Sequence, residues 1–201
     1  RDLGRPDELH FGPFIKMLRA GLKNPSTGAQ WTGITTRIGE RLLETGAVDA
    51  ILTMTEDPND RWKPLPIIID KASDMAKCRG MRMGYAPLLS LLEPAIAKGY
   101  KKMAVIGIPC QVYALRALEK ELGLEKLYVI GTPCSDNTTT ENFHHFLSLV
   151  SSEPDEIIYL EFRADYHVEV RFKSGKKKEI PFLQLPLSTL PNDFFPLTCR
   201  T

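Results

Sequence analysis

One short pattern, Val-Ile-Gly-x-Pro-Cys, occurs twice in this sequence and ends in cysteines at positions 110 and 134. The copies are VIGIPC at 105–110 and VIGTPC at 129–134, and the apolar positions between them recur at helical spacing. This arrangement predicts a strand, a loop, a helix, a second strand and a second loop. Because the carboxyl ends of parallel strands meet at one edge of a sheet, we expect Cys110 and Cys134 to share a crevice there.

Two thiols placed in this way are compatible with three roles. Soft thiolates suit an iron–sulfur cluster, a redox thiol is the second role, and a small hydrophobic residue in the core is the third. A cysteine nucleophile would need a base, and His144 and His145 follow Cys134 with no recognisable pairing. The four cysteines form no CxxC pair, which excludes a zinc ribbon or a thioredoxin motif.

Glycine-rich and basic stretches form a second group of candidates. GAQWTGITT, at 28–36, precedes a predicted helix whose N-terminus would attract anions, although it lacks the GxGxxG fingerprint. Trp31 alternatively anchors the arm in the core. KCRGMRMGY, at 77–85, combines cations with glycines that let the backbone approach a phosphate or an anionic cofactor, and an exposed basic loop is the alternative. The positive neighbours of Cys78 are expected to lower the pKa of its thiol.

A third candidate is the helix start CSDNTTTEN at 134–142, where Thr138 or Thr139 is the predicted N-cap. Capping explains most of this stretch, and Asp136 and Asn137 are also able to bind a ligand.

The surrounding elements are predicted from apolar spacing. GITTRIGERLLETG, starting at Gly33, reads as a helix with Ile34, Ile38, Leu42 and Leu43 on one face. AVDAILTMT then reads as a buried strand, EDPNDRWKPLP as a turn-rich loop and IIID as a short strand. SDMAKC reads as a short helix with Ser73 as its N-cap, and FGPFIKMLRAGLK as a short amphipathic helix in an N-terminal arm.

The sequence pattern changes after residue 152 from helical spacing to alternation of apolar and polar residues, with a tight turn predicted at KSGK. We therefore predict an arm over 1–29, an α/β domain over 30–152, and a β-rich section over 153–201. The fold class is a mostly parallel sheet with flanking helices, followed by antiparallel β structure, and so α+β overall.

Composition limits the partners. The formal net charge of +1 provides no global field for nucleic acid, and the basic run KSGKKKE is better explained as a solvated hairpin turn. No apolar stretch is as long as a membrane span, and the start RDLGRPDELH lacks the shape of a signal peptide. The chain has no initiator Met and stops at PLTCRT, so we expect it to be a piece of a longer protein.

Together, GAQWTGITT, KCRGMRMGY, GIPCQVYALRALE, GTPCSDNTTTENF and FFPLTCRT resemble the family formed by the beta subunits of deazaflavin-reducing hydrogenases. That family includes reductases of plant and cyanobacterial chlorophyll metabolism. The resemblance runs from about Gly28 to the last residue, and the order and spacing of the blocks make it specific. The family's amino-terminal cysteine cluster and the block after its terminal cysteine pair are absent from this sequence.

The resemblance implies FAD and four-iron (4Fe–4S) clusters as cofactors. It matches Cys110, Cys134 and Cys199 to metal ligands, the last as the first member of a terminal pair whose partner lies beyond Thr201. It also implies that GAQWTGITT and KCRGMRMGY line the flavin pocket, and it matches Cys78 to no family position. With the two residues of the helix start, the candidate cofactor-binding residues are Gln30, Trp31, Thr32, Gly33, Thr35, Arg79, Gly80, Arg82, Asp136 and Asn137.

The resemblance further implies that reduced ferredoxin passes electrons through the clusters to the flavin, and then as hydride to a chlorophyll precursor. The expected reaction of chlorophyll biosynthesis is reduction of the 8-vinyl group of a divinyl chlorophyllide. The expected location is the cytoplasm or thylakoid surface of a cyanobacterium, or the plastid stroma of a plant. Tyr85, Asp136, His144 and His145 are all candidate proton donors, and no oligomeric state is implied.

Three alternatives stay open at this point. The first is reduction of the 7-hydroxymethyl group of chlorophyll a with the same cofactors. The second is an electron-transfer subunit that serves a deazaflavin within a larger complex. The third is a non-enzymatic nucleotide-binding domain in which the cysteines are merely packed.

Overall fold

The computed structural model describes residues 12–134, 136–196 and 199. The helices are α1 (Ile34–Glu44), α2 (Leu92–Ala97), α3 (Pro109–Leu118) and α4 (Thr140–Val150). The strands are β1 (Ala50–Asp57), β2 (Asp60–Ile69), β3 (Lys102–Gly107), β4 (Lys126–Gly131), β5 (Ile157–Phe162), β6 (His167–Phe172) and β7 (Lys177–Pro181). Short 3₁₀ helices cover Ala72–Cys78, Leu88–Leu91, Pro154–Glu156, Phe182–Gln184 and Leu187–Thr189.

Four strands form a mixed sheet in the order β2-β1-β3-β4. β1 is antiparallel to β2 and parallel to β3, and β3 is parallel to β4. Both faces are covered: successive residues of β1, Ile51 and Leu52, enter two different apolar clusters. Burial on both faces is why β1 and β3 read as continuous apolar runs rather than as alternating ones.

The predicted turn-rich loop after the first strand is instead the second half of a hairpin. β1 continues to Asp57, and β2 begins at Asp60 and includes both Pro64 and Pro66. Proline has no N–H to donate, but β2 lies at the edge of the sheet, where one side of a strand needs no partner. The prolines are therefore compatible with an edge strand, although in the sequence they indicate a loop.

The chain after residue 152 forms the predicted antiparallel unit, a sheet in the order β5-β6-β7. The predicted tight turn joins β6 to β7, where Gly175 has a φ of +84° and donates to the carbonyl of Phe172 at 2.9 Å. One face of this sheet packs against α4, and Phe143, Leu160 and Val170 are buried between them. The α+β class that the sequence predicts is confirmed.

Three helix predictions need correction. Residues 12–23 of the arm contain no helix, and Ile15 and Leu18 are exposed. Helix α1 forms as predicted, but Thr36 and Gly39 are its buried positions and Ile38 is exposed. The segment predicted to start at Ser73 is a 3₁₀ helix that follows Lys71 and has no side-chain cap.

No helix in the described part of the chain combines the length and the apolar composition needed to cross a membrane.

Gly84 lies where the chain passes closely between Pro64 of β2 and Thr140 of α4, and replacing it tests this packing. Its φ is +157°, and a Cβ added there would contact the hydroxyl of Thr140 and lie 2.8 Å from Cδ of Pro64. We expect Gly84→Ala to lower the free energy of unfolding by about 1–3 kcal/mol, measured by urea denaturation. Gly131→Ala is the control, since its Cβ would meet only Cγ2 of Val112 at 3.8 Å. Equal stability of the two variants would contradict this account.

Candidate functional site: a cysteine rim and a cationic cleft

The two Val-Ile-Gly-x-Pro-Cys copies end side by side, because β3 and β4 pair in parallel with Gly107 opposite Gly131. The pairing continues one residue further: the N–H and the hydroxyl of Thr132 both donate to the carbonyl of Gly107, at 2.9 and 3.2 Å. Each cysteine follows its glycine by three residues, so Cys110 and Cys134 leave the sheet at equivalent positions. We call this edge of the sheet, with the residues just beyond it, the cysteine rim; the crevice that the repeat predicts there stays a prediction.

Cys110 lies in the first turn of α3 rather than in the predicted loop, because α3 begins at Pro109. Proline suits the first position of a helix, where no N–H is needed. The side chain of Gln111 accepts a hydrogen bond from the N–H of Ile108 at 3.1 Å and so caps this helix start. The Cys110 side chain is exposed at the end of a rigid element.

Cys134 is partly buried, and its thiol lies 3.5 Å from the carbonyl oxygen of Asp136. Burial raises the pKa of Cys134, and the negative charges of Cys199 and Cys110 raise that pKa further. Charges interact strongly only at short range in a protein. Cys110 and Cys199 are thus near enough to Cys134 to influence its pKa, and the metal-binding role that the family resemblance implies for the three cysteines stays a prediction.

Cys199 is brought there by a contact that the sequence did not predict. The buried hydroxyl of Thr138 donates a hydrogen bond to the carbonyl of Phe194, and Phe194 itself is buried in the core beside α4. The Cys199 N–H then donates to the carbonyl of Pro196 at 3.0 Å. The local pattern at Thr138 indicated only a possible helix cap, a role that Thr139 performs. A contact over this sequence distance leaves no local signal.

Asp136 and Asn137 border the cysteine rim, and Asn137 has a structural role there. Its side-chain amide donates to the carbonyl of Gly84 at 3.0 Å, and its own carbonyl accepts from the Tyr85 hydroxyl at 3.3 Å. Burial raises the pKa of Tyr85, and the charge of Cys199 raises that pKa further. The hydrogen bond to Asn137 holds the hydroxyl of this ring beside the loop that follows Cys134. Tyr85 keeps its proton at neutral pH and is partly exposed.

The donors at the cysteine rim are soft thiols, which are ligands of the kind that an iron–sulfur cluster takes. Within the described residues, no three His, Cys, Asp or Glu side chains are grouped closely enough to hold one metal ion. A four-iron cluster needs a wider set, because each thiolate binds a different iron atom. Cys110, Cys134 and Cys199 are free thiols, and they would supply three of the four thiolates that such a cluster takes.

A second site lies between the mixed sheet and the antiparallel sheet, where a cleft has a volume of about 410 Å³. Five cations and one carboxylate, Glu56, are among its described lining residues; the cations are Arg61, Lys77, Arg79, Arg82 and Arg171. We call it the cationic cleft. Such an excess of positive charge favours an anionic ligand.

Arg82 is the structural centre of the cationic cleft. One of its terminal nitrogens donates to the carbonyls of Arg79 and Gly80, at 2.8 and 3.2 Å, and so folds the 79–82 loop around its own guanidinium. Its side chain is only 8% exposed. Burial lowers the pKa of Arg82, and the charge of Glu56, 3.8 Å away, partly offsets this.

The two predicted arginines also keep unused donors. The Nε atoms of Arg79 and Arg82 are buried and have no hydrogen-bond partner among the described residues. Gly28 and Gly80 lie beside these arginines, and both have positive φ. The two backbones come close together, because a Cβ added at Gly80 would lie 3.5 Å from the carbonyl of Gly28. Without side chains here, a ligand can come close to the backbone. Free buried donors and bare backbone fit the phosphates of a dinucleotide such as FAD. The volume is also within the range of small-molecule sites.

The predicted GAQWTG stretch forms a closed turn beside the cationic cleft rather than a phosphate loop. Gly33 donates to the carbonyl of Gln30 at 3.1 Å, and the carbonyl of Thr32 accepts from Ser26 at 3.2 Å. Gly33 has a φ of +85° where α1 begins, and a Cβ there would lie 3.0 Å from Cβ of Ala29.

The remaining predicted residues of this stretch divide between helix and surface. Thr35 is a half-buried residue in the first turn of α1. The Trp31 ring is exposed, so the interpretation of this ring as a core anchor is wrong. The backbone N–H of Trp31 donates to the carboxylate of Glu161 at 3.0 Å. The candidate cofactor residues therefore divide between the cysteine rim, which holds Asp136 and Asn137, and the cleft with its adjoining turn. Their binding role stays a prediction.

His144 and His145 line a different groove, on the outer side of α4. The Nε2 atom of His144 lies 2.8 Å from Oδ2 of Asp60, so this histidine is paired with a carboxylate and not with a cysteine. Burial raises the pKa of Asp60, but hydrogen bonds from His144 and from the Trp62 N–H outweigh burial and lower it overall. The described lining of this groove is polar: Asp60, Lys63, Thr140, Glu141, His144, His145 and Ser148.

Comparison with known families gives two matches along the chain. Residues 17–93 match the N-terminal model, and residues 100–201 the C-terminal model, of the coenzyme F420 hydrogenase/dehydrogenase beta subunit. The solved F420-reducing [NiFe] hydrogenase complex from Methanosarcina barkeri contains a chain that is similar at a TM-score of 0.68 and 23% identity. The similarity covers 78% of this chain and 56% of that one. At this identity, the likeness concerns the fold.

Individual relatives are more similar in sequence. The 7-hydroxymethyl chlorophyll a reductase of rice is 40% identical over 92% of this chain and 39% of its own length. An uncharacterised Nostoc protein is 38% identical over 98% of this chain and 49% of its own. One component of the F420H2 dehydrogenase of Methanosarcina mazei is 30% identical over 75% of this chain and 40% of its own. The chain thus spans less than half the length of these relatives.

Cys78 behaves differently from what its neighbours in the sequence indicated. Burial raises the pKa of this thiol to about 11, although Arg82 and Lys77 oppose that shift. Because the thiolate is the reactive form, Cys78 should stay largely unreactive at neutral pH, while the exposed Cys110 should be modified first. Iodoacetamide labelling of chelator-treated protein at pH 7, 8 and 9, followed by peptide mass spectrometry, measures both. We expect Cys78 to react at least about tenfold more slowly and to gain about tenfold per pH unit.

The same protein unfolded in urea serves as the control, because there the two cysteines should react at similar rates. Comparable rates in the folded protein would show that burial does not protect Cys78.

Proposed function

Because the chain belongs to the family of the coenzyme F420 hydrogenase/dehydrogenase beta subunit, we propose that it is the central part of a flavin- and iron–sulfur-dependent oxidoreductase. The proposed substrate is a chlorophyll-type tetrapyrrole, and the proposed reaction is reduction of the 8-vinyl group with electrons from ferredoxin. The observation that carries the proposal is the parallel register of β3 and β4, which places Cys110 and Cys134 three residues beyond paired glycines at one sheet edge. The named relatives are reductases and dehydrogenases, which supports a redox role for those thiols.

Cys110, Cys134 and Cys199 are the proposed ligands of one 4Fe–4S cluster. The first two are fixed by paired strand ends and the third by the Thr138–Phe194 contact. A fourth thiolate is expected from the intact protein, as the family resemblance implies. The partial exposure of the rim supports an electron donor that approaches from solvent, which is the role proposed for ferredoxin.

The cationic cleft is the proposed site of FAD. Arg79 and Arg82 would bind its phosphates through their unpartnered Nε atoms, with Gly28 and Gly80 allowing close approach of the backbone. When bound, FAD would supply the conversion between single electrons and hydride. The chain segment 79–85 leads from Arg79 in the cleft to Tyr85 at the rim. Residues of one short segment thus position both proposed cofactors.

The proton needed for reduction has two sets of candidate donors. Tyr85 holds a proton beside the cysteines, because burial and the charge of Cys199 both raise its pKa. His144 and His145 lie instead in the groove outside α4, where His144 is held by Asp60. Asp136, whose carbonyl lies 3.5 Å from the Cys134 thiol, also borders the rim, and Tyr85, Asp136, His144 and His145 are all retained as candidate donors.

A second candidate reaction is reduction of the 7-hydroxymethyl group of chlorophyll a. The observation that favours it is the 40% identity to the rice reductase named for that substrate. That relative is chloroplastic, which supports a plastid stroma or a cyanobacterial cell as the location. Both reactions would use the same two cofactor sites, so the choice between them depends on the substrate pocket of the intact protein.

The cluster assignment predicts a specific loss of iron. In anaerobically purified full-length protein, we expect a broad iron–sulfur absorption shoulder beside the flavin bands. Cys110→Ala and Cys134→Ala should each lose at least about half of the iron of this cluster, because the soft ligand is removed. Iron, sulfide and flavin analysis measures this directly.

Cys78→Ala is the matched control, since it removes a thiol that the structure keeps buried and protonated. It should retain the iron content of the wild type. A wild type without iron or flavin after anaerobic reconstitution would contradict the proposal, and would favour merely packed cysteines.

The substrate is tested by single-substrate assays with reduced ferredoxin. Divinyl chlorophyllide should be converted to the monovinyl product, detected by chromatography, if the 8-vinyl proposal is correct. Turnover of 7-hydroxymethyl chlorophyll a alone would support the second candidate. Reduction of a deazaflavin with neither tetrapyrrole consumed would reject both, and would favour an electron-transfer subunit.

A further inference from the structure

The two edges of the mixed sheet differ in how they are protected. β2 lies at one edge and contains Pro64 and Pro66, which are two residues apart and so turn their missing N–H to the same side. Prolines on an edge strand hinder pairing with a further strand. β4 lies at the other edge, contains no proline, and has Lys126, its first residue, as its one charged side chain. The edge at β4 therefore lacks the protection that β2 has.

The backbone of β4 presents unused hydrogen-bonding groups at this edge. Just beyond the strand, the N–H of Thr132 donates toward β3, to the carbonyl of Gly107 at 2.9 Å. Because successive residues of a strand alternate in direction, Leu127, Val129 and Gly131 turn their N–H and carbonyl groups away from β3. Within the described part of the chain, no hydrogen bond reaches these outward groups. The outer side of β4 is thus free to pair with another strand.

The side chains of β4 are also incompletely covered. None of the 6 residues of the strand is buried. Leu127 and Val129 pack toward the apolar cluster that includes Leu115 of α3, whereas Tyr128 and Ile130 lie on the opposite face. A partly exposed edge strand with four consecutive apolar residues is typical of a site where a further strand is added.

A second copy of the same strand is complementary to this edge. Homodimers usually have two-fold symmetry, in which the same surface of each copy forms the interface. Two-fold pairing of antiparallel strands requires one residue to pair with itself, since hydrogen-bonded and non-hydrogen-bonded pairs alternate along the strands. Val129 is the central outward residue of β4, and pairing about Val129 lets Leu127 bond with Gly131 of the other copy. All the outward residues then have partners.

The side chains agree with this register. Pairing about Val129 brings Tyr128 opposite Ile130 of the other copy, and pairs of an aromatic and a β-branched residue stabilise antiparallel strands. Lys126 comes to lie opposite Thr132, so the charged residue of the strand does not face its own copy. Like charges directly opposite each other would be unfavourable. The register that satisfies the backbone therefore also avoids repulsion.

The helices on the sheet are spaced for the same pairing. Leu115 of α3 shares an apolar cluster with Val105 of β3 and Val129 of β4, so α3 covers both strands. Neighbouring strands are about 4.8 Å apart, and pairing of two β4 strands would therefore place the two copies of α3 about 10 Å apart. Packed helices lie about 8–10 Å apart. Two copies can thus join at β4 with their α3 helices in contact.

We propose that β4 is the interface of a two-fold dimer, in which the β4 strands of two copies pair antiparallel about Val129 and join the two mixed sheets into one. The pairing ends at Thr132, before Pro133 and Cys134, so the cysteine rim of each copy stays outside the interface. Because the paired strands run in opposite directions, the two rims lie at opposite ends of the interface. This arrangement does not depend on which cofactors the protein binds.

The test measures the molar mass of the full-length protein by analytical ultracentrifugation over a range of concentrations. We expect a dimer, and we expect Val129→Pro to raise its dissociation constant at least about tenfold, because each copy loses a hydrogen bond to the other. The bonds between β3 and β4 should survive, because the Val129 N–H points away from β3. Circular dichroism, iron content and flavin content of Val129→Pro should therefore match the wild type.

Val129→Thr is the matched control, since it keeps the N–H and the branched shape, and its dissociation constant should stay within about threefold of the wild type. If Val129→Pro does not fold, Ile130→Lys replaces it. A lysine at that position would face Tyr128 of the other copy and should also weaken the dimer.

Hydrogen exchange of residues 126–131 provides a measurement that needs no variant. In the dimer, the outward amides should exchange at least about tenfold more slowly than after dilution to the monomer. A dimer of undiminished affinity in Val129→Pro would place the interface elsewhere and overturn the proposal. A monomeric wild type would also overturn it: rapid exchange at β4 would show a bare edge, and slow exchange would show that another segment of the intact protein covers it.

Discussion

The parallel pairing of β3 with β4 is the constraint on which the cysteine rim depends. With Gly107 opposite Gly131, any two residues at equal distances beyond these glycines leave the sheet together. The second bond of Thr132 to Gly107 extends that register into the loop. A slip of one residue would turn the side chains of one strand to the other face of the sheet and shift the start of the segment that carries its cysteine. The two copies of Val-Ile-Gly-x-Pro-Cys thus match in sequence because their strands pair in register and each is followed by its cysteine at the same distance.

A second constraint is the path of residues 79–85. Arg82 binds the carbonyls around it and folds the segment into a loop, and Gly84 then passes between Pro64 of β2 and Thr140 of α4. Only a residue without a side chain fits at this crossing. The segment reaches the cysteine rim at Tyr85 immediately afterwards. Residues 79–85 therefore contribute to both the cationic cleft and the cysteine rim. A change in the packing of this segment should alter both sites.

The sequence predicted the elements whose signals are local. The strands, α1, the helix after the first cysteine, the antiparallel unit and the α+β class follow from periodicity, and the cysteine rim from a repeat. It predicted only the end of β2, as the short strand IIID, and took the earlier part of β2 as a loop, because prolines that an edge strand tolerates are also those of a loop. Contacts between distant segments were also missed: Thr138 with Phe194, and Glu161 with Trp31. The pKa of Cys78 was predicted in the wrong direction because its burial is not visible in its neighbours.

The division predicted near residue 152 separates types of structure but does not separate the proposed sites. The antiparallel sheet contributes Tyr159 and Arg171 to the cleft, and the chain beyond it brings Cys199 to the rim. Residues of the earlier part alone would leave the cleft without one wall and the rim without its third thiol. The apolar face of the antiparallel sheet packs on α4, while Tyr159 and Glu161 lie against the turn before α1. The same sheet therefore stabilises the core on one side and completes the cleft on the other, which is why both parts of the chain are needed for either proposed cofactor.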